Sequence, residues 1–443
     1  MLIRFTVENW MSFRDPVTFS MIATRELQHK DRLTRLERYK TRILPIAAIY
    51  GGNASGKTNL FKAISFAKRM VVQGIKPDLP IPVEPFMLDN TGIDNPISFK
   101  FEILIDEIIY EFSFTVTKNN IIEEKLVELS RNSEKVLYKR YNNSVECDKS
   151  VLEQKLFQFA FTGTSDNQLL ITNPVLQKID KLSDVLNWFK DSLVLIAPDS
   201  RFEPFELLLN DIDPRNSLVN DMLLQLDTGI INLDWVDIPF KTIQIPETLK
   251  DKIQEDIKDG FTAHVSNQIL NERFLITRRN EKLIAKKLVT QHPTVNGEKV
   301  KFEIQQESDG SKRIIDLLPI FLDLLDSSSK KIYIIDEIDR SLHTLLIRRL
   351  LELFLAGCND RRRTQLLLTT HDVLLMDQEL FRRDEMWITE RGSTGASTLI
   401  SFCEYKDIRI DKDIRKSYLQ GRFGGIPRLL YNEALAGSSH NST

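Results

Sequence analysis

Cysteine is scarce: Cys147, Cys358 and Cys403 are an odd set of three, far apart in 443 residues. An odd count without a close pair excludes a disulfide framework and a Cys-x-x-Cys metal site, so all three read as reduced thiols. Long apolar runs are missing too. Nothing approaches the roughly 18 uninterrupted apolar residues of a membrane span, and the amino end MLIRFTVENW lacks the basic-then-apolar layout of a secretory signal. A cytoplasmic chain without a membrane partner is the expectation. There is no basic excess either. A formal net charge of −3 leaves no chain-wide field to hold nucleic acid through phosphate neutralisation, so any DNA contact is confined to a local patch. Internal repeats and low-complexity segments are absent, and without sustained heptads there is no long coiled-coil arm. What remains is an ordinary globular balance, 28% charged and 42% hydrophobic, in a chain long enough for about three domain-sized units or one enlarged enzyme fold.

RILPIAAIY (42–50) is an apolar run that breaks into GGNASGKT. A helical pattern comes next, with Leu60, Ile64, Ala67 and Val71 on one face. Ile97, Phe99, Phe101, Ile103 and Ile105 then alternate with polar positions. Beyond the turn Asp106-Glu107, so do Tyr110, Phe112, Phe114 and Val116, predicting an antiparallel meander. From about 150 to 270 the pattern reads as mainly helical, cut by Pro174, Pro198, Pro204 and Pro214. KIYII and TQLLLTT are continuous apolar runs of the kind buried in a parallel sheet, separated by the helical SLHTLLIRRLLELFLAG, which Gly357 terminates. The expected organisation is an amino-terminal lobe with loop and meander (1–145), a mainly helical insertion (146–290) and a carboxyl-terminal α/β lobe (291–443).

Gly51-Gly52-Asn53-Ala54-Ser55-Gly56-Lys57-Thr58, with Asn59 next, matches G-x-x-x-x-G-K-[ST] between a strand and a helix. Glycine lets the backbone curl until successive N–H groups face phosphate oxygens. Lys57 adds a point charge near the β and γ phosphates, and Thr58 offers a hydroxyl to Mg2+. ATP and Mg2+ are the implied ligands; the alternative, a fortuitous glycine loop, fits poorly with that strand–helix setting. Asp336-Glu337 ends the strand Ile332 to Ile335. An acid at the tip of a parallel strand beside a phosphate loop supplies the second Mg2+ contact, which falls to Asp336. Glu337 then orients or deprotonates the attacking water. By itself the pair also reads as the start of a solvated turn. His371, in Thr369-Thr370-His371-Asp372 one strand further, is placed to sense the γ phosphate by hydrogen bonding, although a lone histidine is more often structural. ESDGSKR (307–313) opens an amphipathic helix whose amino end carries Ser308, Gly310 and Ser311. Such an end is a helix cap, and its free N–H groups and positive dipole also suit a phosphate.

The order of phosphate loop, small-residue helix start, acid strand and histidine strand resembles the ABC and SMC class of ATPases. In that class the signature helix of one protomer closes over nucleotide bound to the other. The likeness implies an α/β fold: an ABC/SMC-type P-loop ATPase head with an antiparallel β lobe and an inserted helical region. It also implies a homodimer or higher homo-oligomer in which Ser308 and Gly310, with Ser311 beside them, meet the γ phosphate of a second copy. Within the class the chain is similar to stand-alone ATPases related to OLD and RecF. Many of these are subunits of bacterial phage-defence systems, RloA-type proteins and the PARIS ATPase among them. The segments that carry this are MLIRFTVENWMSF, GGNASGKTNL, PFMLD, ESDGSKRIIDLLP, IIDEIDRSLH, LLLTTHD, RRDEMWITER and YLQGRFGGIP.

Departures from the class are specific. ESDGS replaces the transporter-like LSGGQ, and the long interval between Thr58 and Ser308 also argues against a transporter ATPase. Arg340-Ser341-Leu342-His343 stands where transporters carry small residues ending in Asp. The expected Mg2+-site glutamine has no match, and PFMLD is the nearest candidate. The short stretch after His371 leaves no room for the nuclease domain of OLD proteins, so the resemblance implies an ATP-hydrolysing dimeric switch acting through a separate effector, a nuclease. Rival readings are a DNA-clamping repair or maintenance ATPase and a scaffold in which nucleotide is structural. Arg361, Arg362 and Arg363 read as a solvated turn or a local phosphate-backbone contact. Gly421 to Pro427, GRFGGIP, reads equally as a docking loop or as a turn pinning the tail to the sheet.

Overall fold

A computed structural model describes residues 1–89, 92–149, 154–200, 215–267, 272–405 and 413–426. It forms two compact units, one of Met1–Leu195, Lys330–Glu337 and Cys358–Thr443, the other of Ile196–Ser329 and Ile338–Gly357.

In the first unit the period-two pattern gives the meander it predicts. Seven strands pair antiparallel in the order Ser144–Cys147, Glu134–Tyr141, Ile121–Leu129, Ile108–Val116, Ile97–Ile105, Leu2–Glu8, Val17–Ser20. Phe99, Phe101, Phe112 and Phe114 are all buried on one face, where Phe101 meets Phe189 edge-on at 5.0 Å. Asp106 and Glu107 both take positive φ, 42° and 64°, the primed two-residue turn whose twist matches a hairpin.

The second sheet of this unit has the order Leu193–Ile196, Ile332–Ile335, Gln365–Thr369, Ile46–Tyr50, Met386–Arg391, Ser397–Ser401. The pairs from Ile332–Ile335 through Met386–Arg391 are parallel, and Ser397–Ser401 returns antiparallel on Met386–Arg391. The apolar runs read as strands buried on both faces are so buried: every residue of Ile46–Tyr50, Ile332–Ile335 and Gln365–Thr369 is. Gln365 stitches the two sheets together. Its amide accepts from Leu2 N at 2.6 Å and donates to Leu2 O at 3.0 Å and Leu44 O at 3.2 Å, all away from water. The helix Lys57–Val72 buries Leu60, Ile64, Ala67 and Val71, the stripe that its sequence sets out. The RRDE segment forms a buried ionic knot: Arg382 donates to both Asp384 oxygens at 2.8 and 2.7 Å and to Glu26 O at 3.0 Å.

The second unit corrects one expectation. Helices Gln154–Thr162, Asp180–Asn187, Arg215–Gln225 and Glu247–Asp256 occur in the stretch expected to be mainly helical, but from residue 232 it is largely strand. Asn232–Ile238, Lys282–Pro293, Glu272–Arg279 and Thr262–Asn267 form an antiparallel sheet, with Lys299–Glu303 also on Lys282–Pro293. Three of these strands, Glu272–Arg279, Lys282–Pro293 and Lys299–Glu303, are lysine- or arginine-rich, and one apolar face, Phe274, Ile276 and Ala285, packs with Phe240, Ile243 and Ile253. With so few apolar positions the alternation is faint beside the strong helical pattern of LKDKIQEDIKDGF. Pro204, Pro214 and Pro427 lie outside the described residues.

Among the described residues no helix is long and apolar enough to cross a membrane. No disulfide joins the three cysteines, and burial pushes the Cys358 thiol up to about 12. Replacing Gln365 by leucine keeps the volume but strands the backbone groups of Leu2 and Leu44 in the dry interface. The expected loss is about 3 kcal/mol, read as a lower urea midpoint of the ligand-free protein.

Candidate functional site

In register, Ile335 lies opposite Leu368, Thr369 opposite Ile49, and Ile388 opposite Tyr50. The carboxyl ends of these strands are therefore level, and the loops that leave them gather along one edge of the sheet, where open α/β sheets bind ligands. Asp336-Glu337 leaves one strand, Thr370-His371 the next, and the loop Gly51 to Thr58 the third.

The loop folds as it does because glycine stands where backbone must approach closely. A Cβ on Gly51 would lie 2.5 Å from the hydroxyl oxygens of both Ser55 and Thr389, which are themselves bonded at 2.6 Å. Ala54 and Gly56 take φ of 59° and 117°. Gly56 then leads into the helix Lys57–Val72 without any side-chain cap, so the first amides of that helix remain anion donors. Lys57, buried at 4% exposure, donates from Nζ to Gly51 O at 2.7 Å and Gly52 O at 3.1 Å, and lies 3.3 Å from His371 Nδ1. Asn53 and Ala54 are exposed at the tip, and Thr58 is half-buried. Asn59 faces the amino-terminal segment: its amide donates to Ser12 Oγ at 2.8 Å and its carbonyl accepts from Trp10 Nε1 at 3.1 Å.

Asp336 has no exposure at all. Its Oδ1 accepts from Thr369 Oγ1 at 2.6 Å, and among the described residues its buried Oδ2 has no hydrogen-bond partner. The same Thr369 hydroxyl oxygen accepts from Glu337 N at 2.8 Å. Glu337 sits at φ 50°, a left-handed conformation that is costly for glutamate and typical of functional positions. Thr369, which joins the two acids, carries no role on sequence grounds; its one signal is its place beside His371 at a strand end. A bare, buried carboxylate oxygen and the Thr58 hydroxyl are hard oxygen donors, and one carboxylate with substrate phosphates is the usual protein share of a Mg2+ site. The residues present therefore fit Mg2+.

Ser308, Gly310 and Ser311 belong to the other unit. Ser308 caps the helix Asp309–Leu325, its side chain accepting from Ser311 N at 3.0 Å and lying 2.9 Å from Ser311 Oγ. A Cβ on Gly310 would come to 3.0 Å from Ser341 O. The preceding Glu307 is held by His292 Nε2 at 2.7 Å and by the Thr290 hydroxyl.

Neither reading of the three arginines stands in simple form. Arg362 is buried and donates to Thr364 Oγ1 at 3.1 Å, and Arg363 pairs with Glu107 at 2.7 Å, leaving Arg361 exposed. PFMLD is fixed by the amino-terminal segment, Asn9 Oδ1 accepting from Phe86 N at 3.2 Å and Glu84 O from Met11 N at 2.7 Å. The described part of GRFGGIP pins to the phosphate loop itself, Gly52 N donating to Gly425 O at 2.6 Å.

Asp336→Asn keeps the acceptor for Thr369 and removes a charge whose second oxygen has no hydrogen-bond partner among the described residues. Its ligand-free stability should stay within about 1 kcal/mol of the parent. The extra stability conferred by Mg2+ with nucleotide, about 2.7 kcal/mol at a hundred times Kd, should vanish. Thermal unfolding with and without Mg2+–ATP checks both.

No curated protein matches the chain. Solved structures that do include "SMC head domain from Thermotoga maritima", at 15% identity over 90% of this chain and 98% of that one with a TM-score of 0.36. Another is "Crystal structure of the SmcHead bound to the C-winged helix domain of ScpA", at 12% identity over 90% and 97% with a TM-score of 0.39. Residues 46–377, which contain the loop, the signature helix, the acid pair and His371, match the family described as "AAA domain, putative AbiEii toxin, Type IV TA system". The chain belongs to this AAA family.

Proposed function

We propose that the protein is an ATP-hydrolysing switch in which two copies share each nucleotide. The observation that carries this is the cluster at the strand tips: the bare Asp336 oxygen, Glu337 tied to it through Thr369, and Lys57 beside His371. Lys57 and the loop amides bind the β and γ phosphates. Thr58 and Asp336 hold Mg2+, which when bound neutralises phosphate charge. Glu337 accepts a proton from water as the water oxygen bonds to the γ phosphorus and the bond to the β-phosphate oxygen breaks, leaving ADP and phosphate. His371 hydrogen-bonds the γ phosphate and so registers its presence.

The signature end supplies the second copy's part. Among the described residues the N–H groups of Asp309 and Gly310 have no hydrogen-bond partner, and the end of a 17-residue helix carries roughly half a positive charge. Ser308, Gly310 and Ser311 meet the γ phosphate of the other protomer and clamp it until hydrolysis. The output passes to a separate effector, a nuclease in a bacterial phage-defence system. The family description, which names a toxin of a Type IV TA system, supports a two-component arrangement of this kind.

Glu337→Gln should lower kcat about a thousandfold with little change in KM, and should trap an ATP-bound dimer visible by light scattering. Undiminished turnover would remove Glu337 from the chemistry. Lys57→Ala and Ser308→Arg chains, each inactive alone, should on mixing recover about a quarter of parental activity through heterodimers with one intact site. No recovery at all would sink the shared site.

A further inference from the structure

The glycine loop near the carboxyl end, singled out by sequence but given no part in the chemistry above, touches the phosphate loop at one informative place. The carbonyl of Gly51 and the N–H of Gly52 belong to the same peptide unit. Lys57 Nζ donates to that carbonyl at 2.7 Å, while Gly425 O accepts from that N–H at 2.6 Å. One planar group is thus held at both ends, by the lysine on one side and by the carboxyl-terminal loop on the other. Because a peptide plane turns as a unit, releasing Gly425 frees the Gly51 carbonyl to rotate away from Lys57.

The loop is built to hold that carbonyl in place. Tyr418, 5% exposed, donates from its hydroxyl to the same Gly425 oxygen at 2.8 Å. Burial pushes its phenol up to about 12, so it remains a donor at neutral pH. Gly424 and Gly425 both have left-handed backbone, φ 70° and 69°. A Cβ on Gly425 would lie 2.6 Å from Ile388 Cγ2, and one on Gly424 would overlap the Glu390 carboxylate. Phe423 anchors the turn between Phe402 and Tyr405, at ring distances of 5.2 and 5.0 Å. The Tyr405 hydroxyl donates to Phe423 O at 2.9 Å.

We infer that Tyr418 and Gly425 are positioning residues of the nucleotide site: through the Gly51–Gly52 peptide they orient Lys57 for phosphate. This rests on the nucleotide-site reading above.

The test is binding of a fluorescent ATP analogue with Mg2+ to the full chain, alongside ligand-free unfolding. Tyr418→Phe should raise Kd about fivefold, the equivalent of one buried hydrogen bond, with the ligand-free midpoint lowered only slightly, because Gly425 O keeps the Gly52 N–H. In a Lys57→Ala background the same substitution should have almost no further effect, because its action runs through Lys57. Gly425→Ala, which forces the carbonyl off its seat, should cost at least tenfold in Kd. Parental affinity in Tyr418→Phe, tighter binding, or an equal loss with and without Lys57 would each overturn the assignment. If the parent itself binds no analogue, the nucleotide reading fails and this one with it; if the parent binds and only the Tyr418 effect is missing, the nucleotide reading stands.

Discussion

A carboxylate withdrawn from water with one oxygen unbonded is an expense that folding does not accept without return, and Asp336 is in that position. Its Oδ1 is served by Thr369; nothing within the described residues serves Oδ2. The strand Ile332–Ile335 that delivers it is completely buried, and in register with its neighbour, so the acid has little freedom to retreat toward solvent. A cation completes such a group, and the Lys57 charge near the strand tips is already engaged by two carbonyls and close to His371. The rest of the site is arranged around that constraint. Thr369 must be a hydroxyl residue to bridge Asp336 and the Glu337 amide, and Glu337 must take a left-handed turn to leave the strand in the direction it does.

The two sheets of the first unit divide the labour. The parallel sheet aligns strand ends, which is why residues from sequence positions as distant as 50, 336 and 371 come together. The antiparallel meander contributes no site residue directly. It braces the edge from behind through Gln365, and its first strand leads into the turn where Asn9, Met11 and Ser12 fix PFMLD and Asn59. Strain is concentrated at the tips: Ala54 and Glu337 both hold positive φ, a conformation that costs of order 1 kcal/mol outside glycine.

What the sequence made legible was whatever has a strong local period or a fixed spacing. Alternating phenylalanines announced the meander, unbroken apolar runs the parallel strands, and the phosphate loop its own turn. The strands from 232 to 293 were not legible, because a few apolar positions scattered among polar and charged ones produce no clear alternation. They are also tied by pairs such as Lys287 with Glu272 at 2.6 Å, which a linear reading does not reveal. Thr389 and Tyr418 were missed for a different reason. Each acts through a hydroxyl on a partner more than 300 residues away or through a backbone carbonyl, and neither leaves a trace in spacing.

The small residues of ESDGSKR now have two separable explanations. Gly310 is favoured by its own chain, because the Ser341 carbonyl lies 3.0 Å from where a Cβ would be, and Ser341 presents it from φ 61°. Ser308 is likewise consumed locally as a cap. Smallness alone therefore says nothing about a ligand. Among the described residues, what local packing leaves unused is the pair of amides at Asp309 and Gly310, and those are the groups an anion would take. Ser341 lies only four positions beyond Glu337 along the backbone. The segment that leaves the acid therefore ends against the glycine of the signature, and a side chain at 310 would press on that segment.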